Sequence, residues 1–161
     1  MAYTPDVHHR RSIRLKGFDY SLSGVYFLTI CTYDRESVLV PDTLKQTLLA
    51  EWSALSERFP TARPDEFVVM PNHVHGVLML NEDEASARVP LGQVVSAFKS
   101  LSAINCNRIL GRADRPFWQR NYYERIVRNE AELNRVRQYI RDNPEKWAED
   151  KNNPANFGGL S

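Results

Sequence analysis

Two histidines separated by a single residue, His73 and His75, lie inside the apolar stretch at residues 67–80. In a β-strand, side chains two positions apart project from the same face, so both imidazoles would point into one site. Neutral imidazoles on a rigid strand are common ligands of divalent cations. A pair of hydrogen-bonded structural histidines is the alternative, and their spacing alone leaves both interpretations open.

A tyrosine and an asparagine elsewhere in the chain could complete such a site. Residues 130–142 have the apolar spacing of an amphipathic helix. Tyr139 lies about a quarter-turn from the buried stripe of that helix, and Asn143 follows one turn later on the same side. A nucleophile and a carbonyl ligand could therefore face one metal ion. Two alternatives stay open: Tyr139 could only cover the sheet edge, and Asn143 could cap a short helix that begins at Pro144.

The remaining pattern predicts the elements that would position these side chains. In chain order we expect a strand at 25–33, a helix from about 42 to 59, a hairpin of strands 67–70 and 74–80, a helix from 91 to about 110, a strand at 117–127, a helix at 130–142 capped by Asn129, and a short helix ending near 150. This order predicts a ferredoxin-like α+β fold, an antiparallel sheet with helices packed on one face. The histidine strand would lie in the centre of that sheet.

Length and composition are typical of one globular domain, with 161 residues, 42% hydrophobic and 25% charged. We expect a basic arm at about 1–20, a core at about 22–150 and a loose tail at 151–161. The two cysteines form no C-x-x-C motif, and neither a secretory signal nor a membrane-length apolar run of about 18 residues occurs. A cytoplasmic protein without a membrane partner is expected. A P-loop motif is also absent, so no nucleotide cofactor is predicted.

The net charge of +1 conceals a separation of charges along the chain. Residues 96–146 contain 11 Lys/Arg against 6 Asp/Glu, whereas residues 34–86 contain 4 against 10. A further basic run lies at residues 10–16. Basic segments on either side of an acidic middle could form one positive surface for a polyanion. Ordinary solvated helix faces explain the charges equally well.

Five blocks of sequence carry a more specific signal: RRSIRLKGFDYS at 10–21, GVYFLTICT at 24–32, VMPNHVHG at 69–76, FWQRNYYE at 117–124 and YIRDNP at 139–144. Together these blocks resemble the REP-associated tyrosine transposases, a branch of the single-tyrosine HUH transposases. The resemblance covers roughly residues 10–147, with the blocks in the family order. A His-x-His pair alone would be weak evidence, whereas the five blocks together are highly specific.

The resemblance implies a single-stranded DNA endonuclease and strand transferase that acts on hairpin-forming extragenic repeats. Tyr139 would be the nucleophile of a covalent 5′-phosphotyrosine intermediate. His73, His75 and Asn143 would hold a divalent cation, Mg²⁺ or Mn²⁺, and tighter binding is expected for Mn²⁺ because it accepts imidazole nitrogen more readily. The N-terminal arm would help to recognise a short single-stranded guide sequence.

Single-stranded DNA requires a cationic path and aromatic faces on which bases stack. The candidates for these contacts are Arg10, Arg11, Ser12, Arg14, Lys99, Arg120 and Arg125, with Trp118 or Tyr122 as stacking platforms. The alternative for the two aromatic residues is a place in the core. Two rival functions stay open, a catalytically silent DNA-binding module and a metal-dependent phosphoesterase that uses water. A monomer and a homodimer are equally compatible with the sequence.

Overall fold

A computed structural model describes residues 23–81 and 89–155 of the chain. Its elements are, in chain order, β1 (Ser23–Cys31), α1 (Asp42–Ser53), α2 (Leu55–Arg58), β2 (Ala62–Met70), β3 (His73–Asn81), α3 (Leu91–Leu110), β4 (Tyr123–Ile126) and α4 (Glu130–Asp142). Short 3₁₀ segments occupy Tyr33–Arg35 and Asn143–Glu149. The basic arm with Arg10, Arg11, Ser12 and Arg14 lies outside the described residues.

The four strands form one antiparallel sheet in the order β2-β3-β1-β4. This order confirms the ferredoxin-like α+β fold and the central place of the histidine strand. The tight connection between β2 and β3 confirms the predicted hairpin. In the β1–β3 register, Thr29 lies opposite His75 and Cys31 lies opposite His73.

Helices cover both faces of the sheet. The helices α1 and α3 pack on one face, where Leu28 and Leu78 belong to the larger apolar cluster. The helix α4 packs on the other face, where Val25 and Val77 meet Val136. Our expectation of helices on one face therefore holds for α1 and α3 and not for α4. Both faces of β3 are buried for this reason, which explains why its apolar residues do not alternate with polar ones.

Three predicted elements differ from the structure. The strand expected at 67–70 already begins at Ala62. The strand expected at 117–127 is limited to Tyr123–Ile126, and upstream of it only an isolated bridge joins Trp118 to Thr32. The single helix expected from 42 to 59 is divided at Ala54, where the backbone leaves α1 and begins α2.

The segment after the last 3₁₀ turn is held more firmly than expected. A loose tail was predicted from residue 151, yet Asn152 is buried and its carbonyl accepts a hydrogen bond from the Nδ2 group of Asn72. Residues 156–161 lie outside the described part. Within residues 23–81 and 89–155, none of the helices has the length and apolarity to cross a membrane.

Candidate active site

The strand β3 directs both histidines toward the α4 side of the sheet. They alternate with Val74, which faces the opposite apolar cluster. The Nε2 atoms of His73 and His75 are 3.2 Å apart. The Nδ1 atom of His73 lies 2.9 Å from Oδ1 of Asn72, and that of His75 lies 2.9 Å from Oγ1 of Thr29. The two nitrogens that Asn72 and Thr29 do not contact are therefore the two that face each other.

Burial keeps both imidazoles neutral near pH 7. The His73 side chain is fully buried and His75 is 3% exposed. Desolvation is the main cause that lowers the pKa of His73 to about 4 and that of His75 to about 3. The Asp150 carboxylate, 3.6 Å from Nε2 of His73, acts in the opposite direction and raises the His73 pKa. A neutral imidazole is the form that binds a metal ion.

A cluster of aromatic rings joins the histidines to the last helix. The Phe27 ring stacks on His75 with 5.3 Å between centroids, and the guanidinium carbon of Arg125 lies 5.2 Å from the Phe27 centroid. The Tyr139 ring lies 5.5 Å from His75 and 6.0 Å from Phe27. Tyr139 is nevertheless 46% exposed. Its phenol is therefore anchored beside the imidazole and still open to solvent.

The helix α4 is fixed at its start by its own cap. Asn129 accepts a hydrogen bond from the backbone N–H of Glu132, as predicted for an N-cap, and the Glu132 carboxylate accepts one from the backbone N–H of Arg128. These reciprocal contacts satisfy amides at the beginning of the helix, where the first N–H groups have no partner within it.

Two ion pairs join α4 to the strand β2. The Arg137 guanidinium binds Asp65 through two hydrogen bonds of 2.7 and 2.8 Å, and Arg141 binds Glu66 through one of 2.7 Å. The two acids occupy the register irregularity of β2 between its pairings at Pro64 and Phe67. Since Tyr139 lies between the two arginines in sequence, these contacts set its position over the sheet.

The side chain of Asn143 does not cap the following helix. The Asn143–Glu149 segment has no side-chain cap, and the Nδ2 group of Asn143 donates instead to the carbonyl of Tyr139 at 3.2 Å. Its Oδ1 atom is buried and has no hydrogen-bond partner among the residues that the structure describes. A buried amide oxygen without a partner is costly unless another group binds it. This buried oxygen is therefore suited to bind a cation.

The donor set accommodates a divalent ion. An ion about 2.1 Å from each of two ligands at right angles holds those ligands about 3.0 Å apart, and the Nε2 atoms of His73 and His75 are 3.2 Å apart. Within the described ranges 23–81 and 89–155, no three His, Cys, Asp or Glu side chains form a metal-binding group. Among the described residues, the buried Oδ1 atom of Asn143 is an oxygen donor of the kind that divalent ions accept.

A cavity of about 880 Å³ opens in front of His75 and Tyr139. Among its described lining residues are five basic side chains and no acidic one: Arg35, Arg125, Arg135, Lys146 and Lys151. The exposed ring of Tyr123 and the half-buried ring of Tyr122 also line it. Positive charge beside aromatic faces suits a nucleic-acid backbone with splayed bases.

The predicted DNA contacts have different positions in the structure. Arg125 and Tyr122 line the cavity, whereas the exposed Arg120 does not. The Lys99 ammonium donates to the carbonyls of Gln119 and Arg120 at 2.7 and 2.8 Å, so it holds a loop together. Trp118 is 6% exposed and its indole N–H donates to Ser102. Trp118 is therefore a core residue, which is the alternative that the sequence left open for it.

Several residues of the site were not predicted. Arg35, Arg135, Lys146 and Lys151 line the cavity, and the carboxylate of Asp150 lies against His73. They come from four different segments, so no local motif unites them. The excess of basic residues at 96–146 was the only signal, and it includes Arg135 and Lys146 but not Arg35 or Lys151.

Comparisons with known proteins agree with this architecture. A model of the family described as "Transposase IS200 like" matches residues 22–143. An uncharacterized protein of Haemophilus influenzae is 33% identical over 174 residues, covering 92% of this chain and 96% of that protein. Another protein of the same organism, named "Putative REP-associated tyrosine transposase", is 26% identical over 133 residues, covering 80% of this chain and 74% of its own length.

Two solved structures share the fold. The first is described as the REP-associated tyrosine transposase bound to a REP hairpin; it has a TM-score of 0.58 at 20% identity and covers 91% of this chain and 73% of its own. The second, a crystal structure of a "putative transposase" from Deinococcus radiodurans R1, has a TM-score of 0.55 at 21% identity and covers 74% of this chain and 90% of its own. Likeness at such low identity demonstrates the fold alone.

Proposed function

The chain belongs to the transposase IS200-like family, and on this premise we propose that it cleaves and rejoins single-stranded DNA through Tyr139. The phenol oxygen attacks a backbone phosphorus and loses its proton, and the 3′-oxygen of the neighbouring nucleotide leaves as a hydroxyl. A 5′-phosphotyrosine bond replaces the phosphodiester bond. A 3′-hydroxyl can later reverse the step and join strands without ATP, since the covalent bond conserves the free energy of the cleaved one.

One observation carries this proposal: Tyr139 and His75 of the same chain lie 5.5 Å apart, centroid to centroid, at the wall of a basic cavity. A nucleophile must lie close to the group that organises the phosphate, because misplacement of reacting atoms is costly in rate. Exposure of 46% leaves the Tyr139 ring accessible to a strand in that cavity. On this proposal, Tyr139 and the two histidines act within one protomer.

We propose that His73, His75 and the amide oxygen of Asn143 hold Mg²⁺ or Mn²⁺. The bound ion would stabilise negative charge that develops on the phosphoryl oxygens. The two imidazoles are neutral and face each other, and the orphaned Oδ1 of Asn143 supports the third position. Mn²⁺ should bind more tightly than Mg²⁺ because two of the three ligands are nitrogen. Stronger cleavage with Ca²⁺ alone than with Mn²⁺ would contradict this ligand set.

The proposed substrate is a DNA hairpin with a single-stranded extension. One solved structure with this fold is described as bound to a REP hairpin, and the cavity of this chain combines positive charge with the rings of Tyr122 and Tyr123. Phosphates would lie along the basic side chains, and unpaired bases would stack on the rings. Each stack is typically worth about 1–3 kcal/mol.

Covalent trapping tests the proposal. The protein is incubated with end-labelled hairpin oligonucleotides and Mn²⁺, then denatured and separated on a gel. We expect a labelled protein–DNA adduct that disappears in EDTA and in Tyr139→Phe, while Tyr139→Phe still binds the hairpin. Tyr33→Phe is the matched control, because Tyr33 is 42% exposed and does not line the cavity.

The same gel separates the two rival functions. Cleaved DNA without an adduct would indicate hydrolysis by water and exclude the tyrosine route. Binding without cleavage or adduct, over a panel of hairpins with randomised extensions, would indicate a DNA-binding module. Cleavage that persists in Tyr139→Phe would refute the proposed nucleophile.

A further inference from the structure

Asn72, the residue before the His-x-His pair, is fully buried, and both the nitrogen and the oxygen of its side-chain amide have hydrogen-bond partners. Its Nδ2 group donates to the carbonyls of Arg35 and Asn152. Its Oδ1 atom lies 2.9 Å from Nδ1 of His73. The reverse orientation of the amide would place Oδ1 against two carbonyl oxygens, where no hydrogen is available. The two carbonyls therefore determine which atom of Asn72 faces the histidine.

This orientation determines the tautomer of His73. Because Oδ1 of Asn72 can only accept, Nδ1 of His73 must carry the proton and donate it. The imidazole is neutral near pH 7, so its Nε2 atom then keeps a lone pair. That lone pair is directed toward Nε2 of His75, 3.2 Å away. The Asp150 carboxylate lies 3.6 Å from the same Nε2 atom, too far for a hydrogen bond, whereas Oδ1 of Asn72 is within hydrogen-bond distance of Nδ1. A neutral histidine without such a partner could carry its proton on either nitrogen.

The side-chain partner of the second histidine does not impose a tautomer in the same way, although a backbone hydrogen bond with Leu28 also acts on this imidazole. His75 Nδ1 lies 2.9 Å from the hydroxyl of Thr29, and a hydroxyl can either donate or accept. Between the two histidines, only His73 has a side-chain partner that is restricted to accepting.

We propose that Asn72 is a positioning residue that holds His73 in the Nδ1–H tautomer, so that Nε2 is ready to bind the cation. This inference rests on the proposed metal site and extends it by a residue that does not itself contact the ion. Partners of this kind orient metal-binding histidines, and their loss typically lowers metal affinity about 10- to 100-fold. The carbonyl of Asn152 makes the chain after the last 3₁₀ turn part of the same arrangement.

Two substitutions at one position separate the acceptor from the rest of the amide. Asn72→Asp keeps an oxygen that accepts from Nδ1 but loses both N–H donors. Asn72→Leu loses the donors and the acceptor. Both variants leave the carbonyls of Arg35 and Asn152 without their partner. They differ in the acceptor at Nδ1 and also in the buried charge of the carboxylate, so the urea stability of each variant is measured beside its Mn²⁺ affinity.

The direct measurement is ¹⁵N NMR of histidine-labelled, metal-free protein at pH 7. We expect His73 to show Nδ1–H and a bare Nε2 in the wild type and in Asn72→Asp, and an Nε2–H population in Asn72→Leu. Mn²⁺ affinity, measured by the loss of the free-ion EPR signal, should fall about 10- to 100-fold in Asn72→Leu and change less in Asn72→Asp.

Three results would overturn this role. The first is an Nε2–H tautomer of His73 in the wild type, which is measured without any variant. The second is an equal loss of Mn²⁺ affinity in both variants, which would assign the effect to the lost donors. The third is unchanged Mn²⁺ affinity in Asn72→Leu. None of these measurements requires DNA cleavage, so a failure of the proposed transferase activity would be seen separately in the adduct assay.

Discussion

The ion pair between Arg137 and Asp65 should contribute measurably to stability, because it connects α4 to the sheet. Both side chains are partly buried, since Arg137 is 28% exposed and Asp65 is 23% exposed. They form a bidentate contact with hydrogen bonds of 2.7 and 2.8 Å. Exposed pairs contribute about 0.2–1 kcal/mol, and hydrogen bonds to charged groups about 1.5–3 kcal/mol. We therefore expect Arg137→Ala to lower the free energy of unfolding by about 1–2 kcal/mol, between these limits.

The neighbouring pair supplies an internal control. Arg141 binds Glu66 through a single contact and is 57% exposed. Solvent screens such a pair, so Arg141→Ala should cost about 0.5 kcal/mol or less. At this chain length 1 kcal/mol corresponds to a shift in Tm of about 2–4 °C, so Arg137→Ala should unfold about 2–8 °C lower and Arg141→Ala within about 2 °C of the wild type.

Urea unfolding of the single variants and of Arg137→Ala with Asp65→Asn gives the coupling between the partners. Burial would raise the pKa of Asp65, but the hydrogen bond from Arg137, a backbone hydrogen bond at Glu66 and the charges of Arg137 and Arg141 together bring this pKa below its ordinary value. The contribution of the pair is therefore present above about pH 4, near the pKa of an unfolded aspartate, and is lost as pH falls through the lowered pKa. An equal cost for Arg137→Ala and Arg141→Ala, or zero coupling with Asp65, would refute the reasoning.

Two other perturbations test the core and the histidine pair. In Gly76→Ala the new methyl group would lie 2.7 Å from two ring atoms of Trp52. Overpacking of this kind lowers the free energy of unfolding by about 1–3 kcal/mol. Unchanged stability in urea would contradict this and would mean that the indole moves aside freely. Because the pKa values of His73 and His75 are lowered to about 4 and about 3, the unfolded state binds more protons at mildly acidic pH. The free energy of unfolding of the metal-free protein should therefore fall as pH drops from about 6.5 toward 4. Urea unfolding in EDTA should show this slope, and a slope that stays the same in His75→Gln would contradict the assignment.

The elements that carry the candidate site could be predicted because their signals are local. The helix α4 begins after its Asn129 cap and ends at Asp142, as the spacing of its apolar residues and the position of Pro144 indicated. The strand β3 begins at His73, directly after the turn. In both elements, the residues that determine the secondary structure lie within a few positions of the candidate site residues.

The segment 117–127 could not be predicted correctly from local preference. Its aromatic residues favour a strand, but strand preference mostly reflects packing against partners. Only Tyr123–Ile126 finds a partner strand, whereas Trp118 is buried against α3 through its hydrogen bond to Ser102. The contact between Asn72 and Asn152 spans 80 positions, and nothing in the polar sequence around Asn152 indicates it.

The two halves of the candidate site are held in place by different kinds of interaction. The histidines belong to β3, which pairs with a neighbouring strand on each side. Tyr139 belongs to α4, which reaches the sheet through side-chain contacts such as that of Val136 in the smaller apolar cluster. Backbone pairing tolerates the loss of one side chain, whereas a helix held by side chains shifts when a contact is removed. Loss of the α4 ion pairs should therefore reduce adduct formation more than Mn²⁺ affinity, because two of the three proposed ligands belong to β3 and only Asn143 lies at the end of α4. A parallel loss of both would show that the helix positions the metal ligands as well as the nucleophile.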